Sequence, residues 1–460
     1  MASTPPRLGR RLGIADVVVL GVVGMLGSGV FIVFSPAGAA AGPWLPLAVL
    51  IAAAVAGCCV LSTSELAMAH RGPDSRGGPS WISGHTAGYV AARRRLHPAA
   101  GRVAGIALLI GGIASAAAAA GVFGAYVLPS NPLAAAIVVI VAASAMAIVG
   151  VRTTARSAWL IAGGTLAVLV VVVVVGLLGP GGGSAGVSAA AATGGDSLAS
   201  GVAVPAVTPP RGVLGVLSAA GLVFFAFVGF ADAASAREDI RSPVRTLRRA
   251  VPIALGICAV AYLAVAAALL VGLGSSRIGA EHSPLVALVD TGQAPALGVL
   301  VRIGAAVAAG STLFALLIGL TRTAGAMARR DDLPRALARR CGSGAAWRAD
   351  VLGAGLAIVV AVLAGPVASI ALAACALLIH YALVHAAVLR LPQLAGPRWI
   401  PVVGLVACLG LAAFLPPVSV LITLGLIAVG WVPSELWALR MRRRPVVEEE
   451  GAAPPDEQAA

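Results

Sequence analysis

Charged residues and aromatic residues are both scarce in this sequence. Of its 460 residues, only 11% are Asp, Glu, Lys or Arg and only 4% are Phe, Trp or Tyr, whereas 59% are hydrophobic. A typical soluble domain has about 25% charged residues, so this composition excludes an ordinary soluble protein. The mean hydropathy of +0.99 leads to the same conclusion. We therefore expect most of the chain to lie in a lipid bilayer.

Lysine is absent, so all 32 basic residues are arginine, and the formal net charge is +14. A strongly basic chain can indicate a nucleic-acid-binding protein. Here, however, the arginines lie in the short segments between apolar runs, which is typical of membrane topology. We expect no nucleic-acid partner.

Cysteine and histidine are also few, with six residues of each. The cysteines show no C-x-x-C spacing, which argues against a metal or redox pair. The histidines are dispersed, and we expect His380 and His385 to be packed, hydrogen-bonded residues rather than proton carriers. The apolar runs contain no paired acids, and no nucleotide-binding loop follows them. We predict no metal site, no catalytic residues and no cofactor.

Long apolar runs are the most abundant feature, and many approach the ~20 residues that a helix needs to cross ~30 Å of hydrocarbon. They predict an all-α polytopic membrane protein of about twelve transmembrane helices. The predicted spans are 14–35, 44–68, 103–127, 133–150, 157–178, 212–235, 250–273, 297–321, 351–365, 367–389, 399–415 and 417–438.

The arginines also predict the orientation of the chain. With the N-terminus in the cytoplasm, 28 arginines fall in cytoplasmic segments and only Arg211 and Arg277 fall in outside loops. This distribution follows the positive-inside rule and predicts a plasma-membrane protein with both termini in the cytoplasm. A cleavable signal peptide is the alternative for the first apolar run, but the run is long for one and many spans follow.

Two spans are interrupted by glycine near their middle. Span one contains residues 24–31 (GMLGSGVF), and span six contains residues 224–230 (FFAFVGF). Each glycine weakens a helix by about 1 kcal/mol relative to alanine. Because the two spans lie five apart, the pattern predicts an inverted repeat whose first helix is broken in each half.

Broken helices in a bilayer leave backbone N–H and C=O groups that lipid cannot satisfy, so these groups must line a cavity or contact a solute. The N-terminus of a half-helix favours a carboxylate, and freed carbonyl groups favour an ammonium group. The two breaks together therefore predict a site for a zwitterion. The alternative is that the glycines only allow helices to pack closely.

Four groups of motifs, in chain order, favour the first interpretation. Residues 27–31 are similar to G-S-G-I-F, and residues 64–66 and 77–79 to A-E-L and G-G-P. Residues 227–230 and 238–243 are similar to F-x-G-F-D and E-E-V-x-N-P, and residues 322–334 to R-x-x-x-A-M-A-R-D-G-x-L-P. Together they resemble the amino acid-polyamine-organocation superfamily.

The resemblance implies a five-plus-five inverted repeat with broken helices 1 and 6 plus two extra helices, and transport of amino acids or related amines by alternating access. The implied segments are a cytoplasmic N-terminus (1–13), a first half (14–178), a flexible outside loop (179–211), a second half (212–389), two final spans (390–439) and a cytoplasmic tail expected to be disordered (440–460).

The resemblance also implies how a substrate is bound. Ser28 and Gly29 would contact its carboxylate, whereas Met25 and Val228 would offer carbonyl groups to its amino group. Two phenylalanines would form the aromatic side of the pocket, or equally be plain core residues, and a leucine would close another wall. The complete set is Met25, Gly27, Ser28, Gly29, Phe225, Phe227, Val228, Gly229 and Leu313.

Departures from the family pattern concern ion coupling. Some relatives have a lysine in span five whose proton replaces sodium, but that position is Thr165 here, facing Ser311 and Thr312 of span eight. The acid that often follows G-F comes one residue later, at Asp232, and is turned by about 100° round the helix. An acid within the membrane is a functional candidate, although Asp232 can instead lie beyond the hydrocarbon core. Coupling to H⁺, coupling to Na⁺ and plain exchange remain open.

The sequence therefore predicts a secondary transporter for an amino acid or related small amine, with that small molecule and the lipid bilayer as its partners. The apolar pocket residues favour a neutral or apolar amino acid over a cationic one. A non-transporting sensor or assembly partner that keeps the transporter fold is the alternative.

Overall fold

The computed structural model describes residues 13–69, 84–151, 155–178, 212–230, 243–281, 283–291, 295–339, 346–394 and 396–442. Within these ranges every regular element is a helix. In chain order the α-helices are α1 (Ile14–Met25), α2 (Gly29–Ile32), α3 (Phe34–Ala41), α4 (Leu45–Ala69), α5 (Gly84–Arg95), α6 (Pro98–Val127), α7 (Pro132–Val149), α8 (Ala155–Leu178), α9 (Val213–Phe227), α10 (Pro243–Gly272), α11 (Ser275–Ala280), α12 (Pro284–Thr291), α13 (Pro295–Ala328), α14 (Trp347–Leu389), α15 (Trp399–Ala413) and α16 (Pro417–Arg442).

The apolar helices agree with the predicted spans. In the described part of the chain, nine helical segments are long and apolar enough to cross a bilayer, and α9 and α15 are shorter apolar helices. Large apolar side chains cover the outside, such as Leu160 of α8 at 78% exposed and Val138 of α7 at 67%. An apolar surface of this kind is suited to lipid. The prediction of an all-α polytopic membrane protein is confirmed.

Helix α14 contains two of the predicted spans in its 43 residues. It is divided at Gly365, whose φ of 66° and ψ of 175° are accessible mainly to glycine. Pro366 follows and has no N–H to continue the helix. The Ser369 hydroxyl donates to the Gly365 carbonyl at 2.6 Å and so satisfies a group that the break frees. The division lies where the sequence places the boundary between spans nine and ten.

Both predicted interruptions are present. Helix α1 ends at Met25, residues 26–28 are not helical, and α2 begins at Gly29. Helix α9 ends at Phe227 and is followed by a turn at Val228 and Gly229. The inverted-repeat symmetry and the segment boundaries stay predictions.

The centre of the bundle packs through small side chains. Helix α6 packs against α13 and α14 and buries the run Ala116–Ala120. Helix α4 packs on α9, and α1 packs on α10. Small residues allow helix backbones to approach closely in a membrane. This packing places the breaks of α1 and α9 inside the bundle.

Some predicted features lie outside the described residues: Asp232, the motif at 77–79, the loop 179–211 and the tail from 443 onward. The described part of the tail is helical, because α16 continues to Arg442. Helices α3, α5, α11 and α12 were not predicted at all. Helix α5 ends in Arg93–Arg95 and is too polar to be found as an apolar run.

Candidate functional site at the two helix breaks

The two breaks lie directly against each other. A Cβ atom added to Gly229 would overlap the Gly24 carbonyl group and lie 2.6 Å from the Met25 nitrogen. A Cβ atom added to Gly29 would lie 2.8 Å from the Ala226 Cα atom. Only glycine fits at either position without a shift of the neighbouring backbone. Close helix packing, which was the alternative interpretation of the sequence, therefore holds for both glycines. It also brings the backbone groups freed at the α1 break next to those freed at the α9 break.

Tyr262 of α10 connects the two breaks. Its hydroxyl group bonds to the carbonyl oxygens of Met25 and, at 3.1 Å, of Ala226. These carbonyls lie in the last turns of α1 and α9, where helical donors are missing. The tyrosine is fully buried, and its ring meets that of Phe227 edge to face at 4.9 Å between centroids. Tyr262 was not predicted from the sequence, although a tyrosine buried in an apolar span usually has a hydrogen-bond partner.

The start of α2 provides backbone donors at the break. Ser28 is the N-cap residue and is 1% exposed, and its side chain makes no capping bond. The first N–H groups of a helix have no acceptor within that helix. Among the described residues, no backbone carbonyl accepts from the N–H of Ser28 or Gly29. These two groups are therefore free to bind an anionic ligand group.

Thr312 of α13 packs on the same break. A Cβ atom added to Gly27 would overlap the Thr312 hydroxyl oxygen. The hydroxyls of Ser311 and Thr312 each donate to the Ala308 carbonyl at 2.9 Å, so their lone pairs remain available. Thr165 is buried in α8, and in the described chain no hydrogen bond joins it to either hydroxyl. The structure thus brings Thr312 to the α1 break.

The predicted apolar wall is divided between two clusters. Met25, Phe225 and Phe227 are buried in the large cluster that surrounds the breaks. Leu313 is also buried, but it packs in a second cluster with Ala116 and other residues of α6 and α7. Its neighbour Thr312 is the part of α13 that contacts the α1 break.

A buried acid that the sequence analysis did not single out lies elsewhere in the bundle. Asp350, in the first turn of α14, is 4% exposed. It accepts hydrogen bonds from Ser144 of α7 at 2.7 Å and Thr321 of α13 at 3.2 Å. An acid buried beside apolar spans is a functional candidate, and its position directly before predicted span nine was the signal that could have identified it.

A network of charged residues ties together several helices at the end of α13. Asp332 is fully buried and accepts hydrogen bonds from Tyr89 and Arg93, while Arg102 lies 3.5 Å from it. Arg102 is 2% exposed and also donates to Glu435 at 2.9 Å. Burial and the nearby Asp332 carboxylate raise the pKa of Tyr89. The sequence motif included Asp332, whereas its partners on α5, α6 and α16 were missed.

The expectation that cysteine and histidine are dispersed is wrong for three residues. The ligand atoms of Cys59, His385 and Cys408 all lie within 4.8 Å of one another, and all three residues are buried. They belong to α4, α14 and α15. No spacing in the sequence could have indicated this cluster, because the three helices meet only in the fold.

Comparison with known proteins adds independent information. A family model described as "Amino acid permease" matches residues 12–438. The chain is 37% identical over 432 residues to an uncharacterized transporter of Mycobacterium tuberculosis, covering 93% of this chain and 91% of that protein.

Two further relatives match over a shorter part. The branched-chain amino acid permease BcaP of Bacillus subtilis is 33% identical over 131 residues, which is 28% of each chain. A mitochondrial cationic amino acid transporter 3 of Arabidopsis thaliana is 31% identical over 134 residues, covering 29% of this chain and 22% of that protein. With a family match along nearly the whole chain, apolar spans and two apposed helix breaks, this chain belongs to the amino acid permease family and is a multi-pass membrane transporter rather than an enzyme.

Proposed function

We propose that the protein is a secondary transporter that carries an amino acid or a related small amine across the cell membrane by alternating access. The apposition of the α1 and α9 breaks is the observation that supports this proposal. It gathers free backbone donors and carbonyls at one buried place, where a zwitterion supplies the matching charges.

The substrate carboxylate is proposed to bind the N–H groups of Ser28 and Gly29. The positive end of the short helical segment favours a negative charge there. The amino group is proposed to bind the carbonyl oxygens of Met25 and Val228. Met25 already accepts from Tyr262, but a carbonyl oxygen has two lone pairs and can accept a second bond.

The side chain of the substrate is proposed to be neutral. The described residues that pack around the breaks are apolar or carry hydroxyl groups, as Phe225, Phe227 and Thr312 do. A cationic side chain in such a place would be buried without a carboxylate partner, which is costly. The two named relatives that match in part are a branched-chain and a cationic amino acid transporter, so they support an amino acid without deciding its charge.

Ion coupling is proposed to use either Na⁺, with the Thr312 hydroxyl beside Gly27 as an oxygen ligand, or H⁺, carried by a titratable group. Ser311, Thr165 and Asp232 remain further candidates. The plasma membrane, with both termini in the cytoplasm, is the proposed location.

A transport assay with purified protein tests this function. The protein would first be screened by thermal shift against individual amino acids and amines, because a ligand that binds the folded state raises its melting temperature. The best ligand would then be tested for uptake into proteoliposomes, with external Na⁺ replaced by choline and with the pH gradient imposed or collapsed. Saturable uptake of a neutral amino acid is expected. Binding without any uptake would favour the sensor alternative, and preferred uptake of a cationic amino acid would contradict the neutral pocket.

Ser28→Ala is the accompanying test of the site. The substitution keeps the backbone donors and removes the hydroxyl, which makes no capping bond and is a further donor beside them, so affinity should fall modestly while transport persists. Ser218→Ala on α9 is a control, because Ser218 is also buried in an apolar helix that contributes to the breaks. An equal loss of affinity in both variants would argue against contact between Ser28 and the substrate.

A further inference from the structure

Three helices that are distant in sequence bring two thiols and an imidazole into one buried cluster. The sulfur of Cys59 lies 3.8 Å from the sulfur of Cys408 and 3.5 Å from the Nε2 atom of His385. All three residues are 0% exposed. Thiols and imidazole are the ligands that zinc prefers in proteins.

The distances fit the edges of a zinc coordination tetrahedron. Zn–S bonds of about 2.3 Å and Zn–N bonds of about 2.0–2.1 Å, separated by tetrahedral angles, place two sulfurs about 3.8 Å apart and a sulfur and a nitrogen about 3.5 Å apart. The cluster has both spacings. A Zn²⁺ ion at the centre of the cluster would therefore require no change in these two distances.

The imidazole is held in the orientation that a ligand requires. The Ser62 hydroxyl lies 2.8 Å from the Nδ1 atom of His385. When Nδ1 donates its proton to Ser62, the lone pair of Nε2 faces Cys59. A partner of this kind on the second ring nitrogen is typical of histidines that bind metal.

The helix that carries Cys408 also accommodates the ring. A Cβ atom added to Gly404, one turn before Cys408 in α15, would overlap the His385 imidazole. The absence of a side chain at Gly404 is what allows the ring to lie against this helix. Cys58, which directly precedes Cys59 in α4, is not part of the cluster. It is partly exposed and points about 100° away from Cys59.

We propose that Cys59, His385 and Cys408 bind one Zn²⁺ ion that links α4, α14 and α15. Binding breaks the S–H bonds of both cysteines, forms two Zn–S bonds and one Zn–N bond, and releases two protons. Two thiolates, a neutral imidazole and Zn²⁺ have no net charge, which is the least costly state to bury. A monovalent ion such as Cu⁺ would leave one buried negative charge. The fourth position is open to a small exogenous ligand.

The direct test measures metal in the purified full-length protein. The chain would be produced with a tag that contains no histidine, in medium supplemented with zinc, and its metal content measured after exhaustive dialysis against metal-free buffer. About one zinc ion per chain is expected. Cys59→Ser, Cys408→Ser and His385→Ala should each lose most of it, and Ser62→Ala should weaken affinity by about 10–100-fold in competition with a chromophoric chelator. Cys375→Ser is the matched control, because Cys375 is a buried free cysteine of α14 outside the cluster.

A second measurement uses only the wild-type protein, so it does not depend on whether the variants fold. The wild-type protein, with and without prior chelation, would be treated with a membrane-permeant maleimide and its labelled cysteines identified by mass spectrometry. Because Cys59 and Cys408 are buried, they react only when the helices around them open transiently; zinc should slow their labelling but leave the labelling of Cys58 unchanged. The proposal would be overturned by a wild-type protein with no more zinc than Cys59→Ser, by copper in place of zinc, or by a Cys59–Cys408 disulfide. None of these outcomes bears on transport, which is tested separately.

Discussion

The side chain of Tyr262 bonds to both interrupted helices. In Tyr262→Phe the buried carbonyls of Met25 and Ala226 lose a donor, which costs roughly 1–3 kcal/mol. We expect a lower melting temperature and a clear loss of uptake, because the geometry of the breaks is no longer fixed. Thermal unfolding and proteoliposome uptake on the same preparation measure the two effects.

The control for this variant is Tyr126→Phe. The Tyr126 hydroxyl donates to the carbonyl of Phe31 at 2.9 Å and is also buried. Its removal should lower stability by a similar amount while uptake per folded molecule is kept. Equal losses of uptake in the two variants would show that Tyr262 acts only through stability.

Gly229 and Gly29 face backbone rather than flexible side chains. Even one methyl group at Gly229 would have to displace the α1 backbone at Gly24 and Met25. We therefore expect Gly229→Ala to lower both the yield of folded protein and its melting temperature. Larger substitutions at these glycines would mix a folding defect with any loss of binding and cannot separate the two.

Gly425 of α16 is the comparison for this prediction. A Cβ atom at Gly425 meets no atom within 4 Å, so Gly425→Ala should be neutral or stabilising by up to about 1 kcal/mol. Fluorescence-detected size-exclusion chromatography of both variants measures the difference. A Gly229→Ala protein that is as stable as Gly425→Ala would refute the close backbone contact.

Ion pairs with Asp332 link the helices that surround it. Removing the charge in Asp332→Asn leaves Arg93 and Arg102 short of a partner, and breaking a buried ion pair costs roughly 3–5 kcal/mol. We expect a large drop in melting temperature and loosened packing of α5 and α16, measured as faster hydrogen exchange in both helices.

The adjacent Asp331 is a natural control. It pairs with Arg335, which is 73% exposed, and exposed pairs contribute little. Asp331 also has a positive φ of 59°, a conformation that asparagine tolerates well. Asp331→Asn should therefore leave stability unchanged. A comparable loss in both variants would contradict the assigned role of the buried network.

The membrane-spanning helices could be predicted because they depend on local sequence, whereas the contacts between helices could not. The lipid-crossing helices follow from length and composition because every backbone group in a bilayer needs an internal partner. The glycine-rich stretch around Ser28 indicated the α1 break for a similar local reason. The link between Tyr262 and Met25 spans 237 residues, and that between Cys59 and His385 spans 326. Such pairings depend on which helices become neighbours, and no local pattern encodes that.

The orientation of the complete chain remains a prediction that one experiment can decide. The arginine distribution predicts that both termini lie in the cytoplasm. A reporter that is active only in the periplasm, fused after Arg444, should give no signal, whereas a fluorescent protein that folds in the cytoplasm should give one. The opposite result would require an odd number of spans.

The carboxylate partners of Arg102 are synthesised long after Arg102 itself. Arg102 is synthesised 333 residues before Glu435. At about 5–20 residues per second, roughly 15–70 seconds pass before the ribosome completes its final partner. Asp332 follows Arg102 by 230 residues and is available earlier, but until Glu435 follows, Arg102 at the start of α6 lacks its second carboxylate partner. Docking of α16 thus completes this network, and a nascent chain that stops before α16 would leave the buried Arg102 with Asp332 alone, a partner that it shares with Arg93.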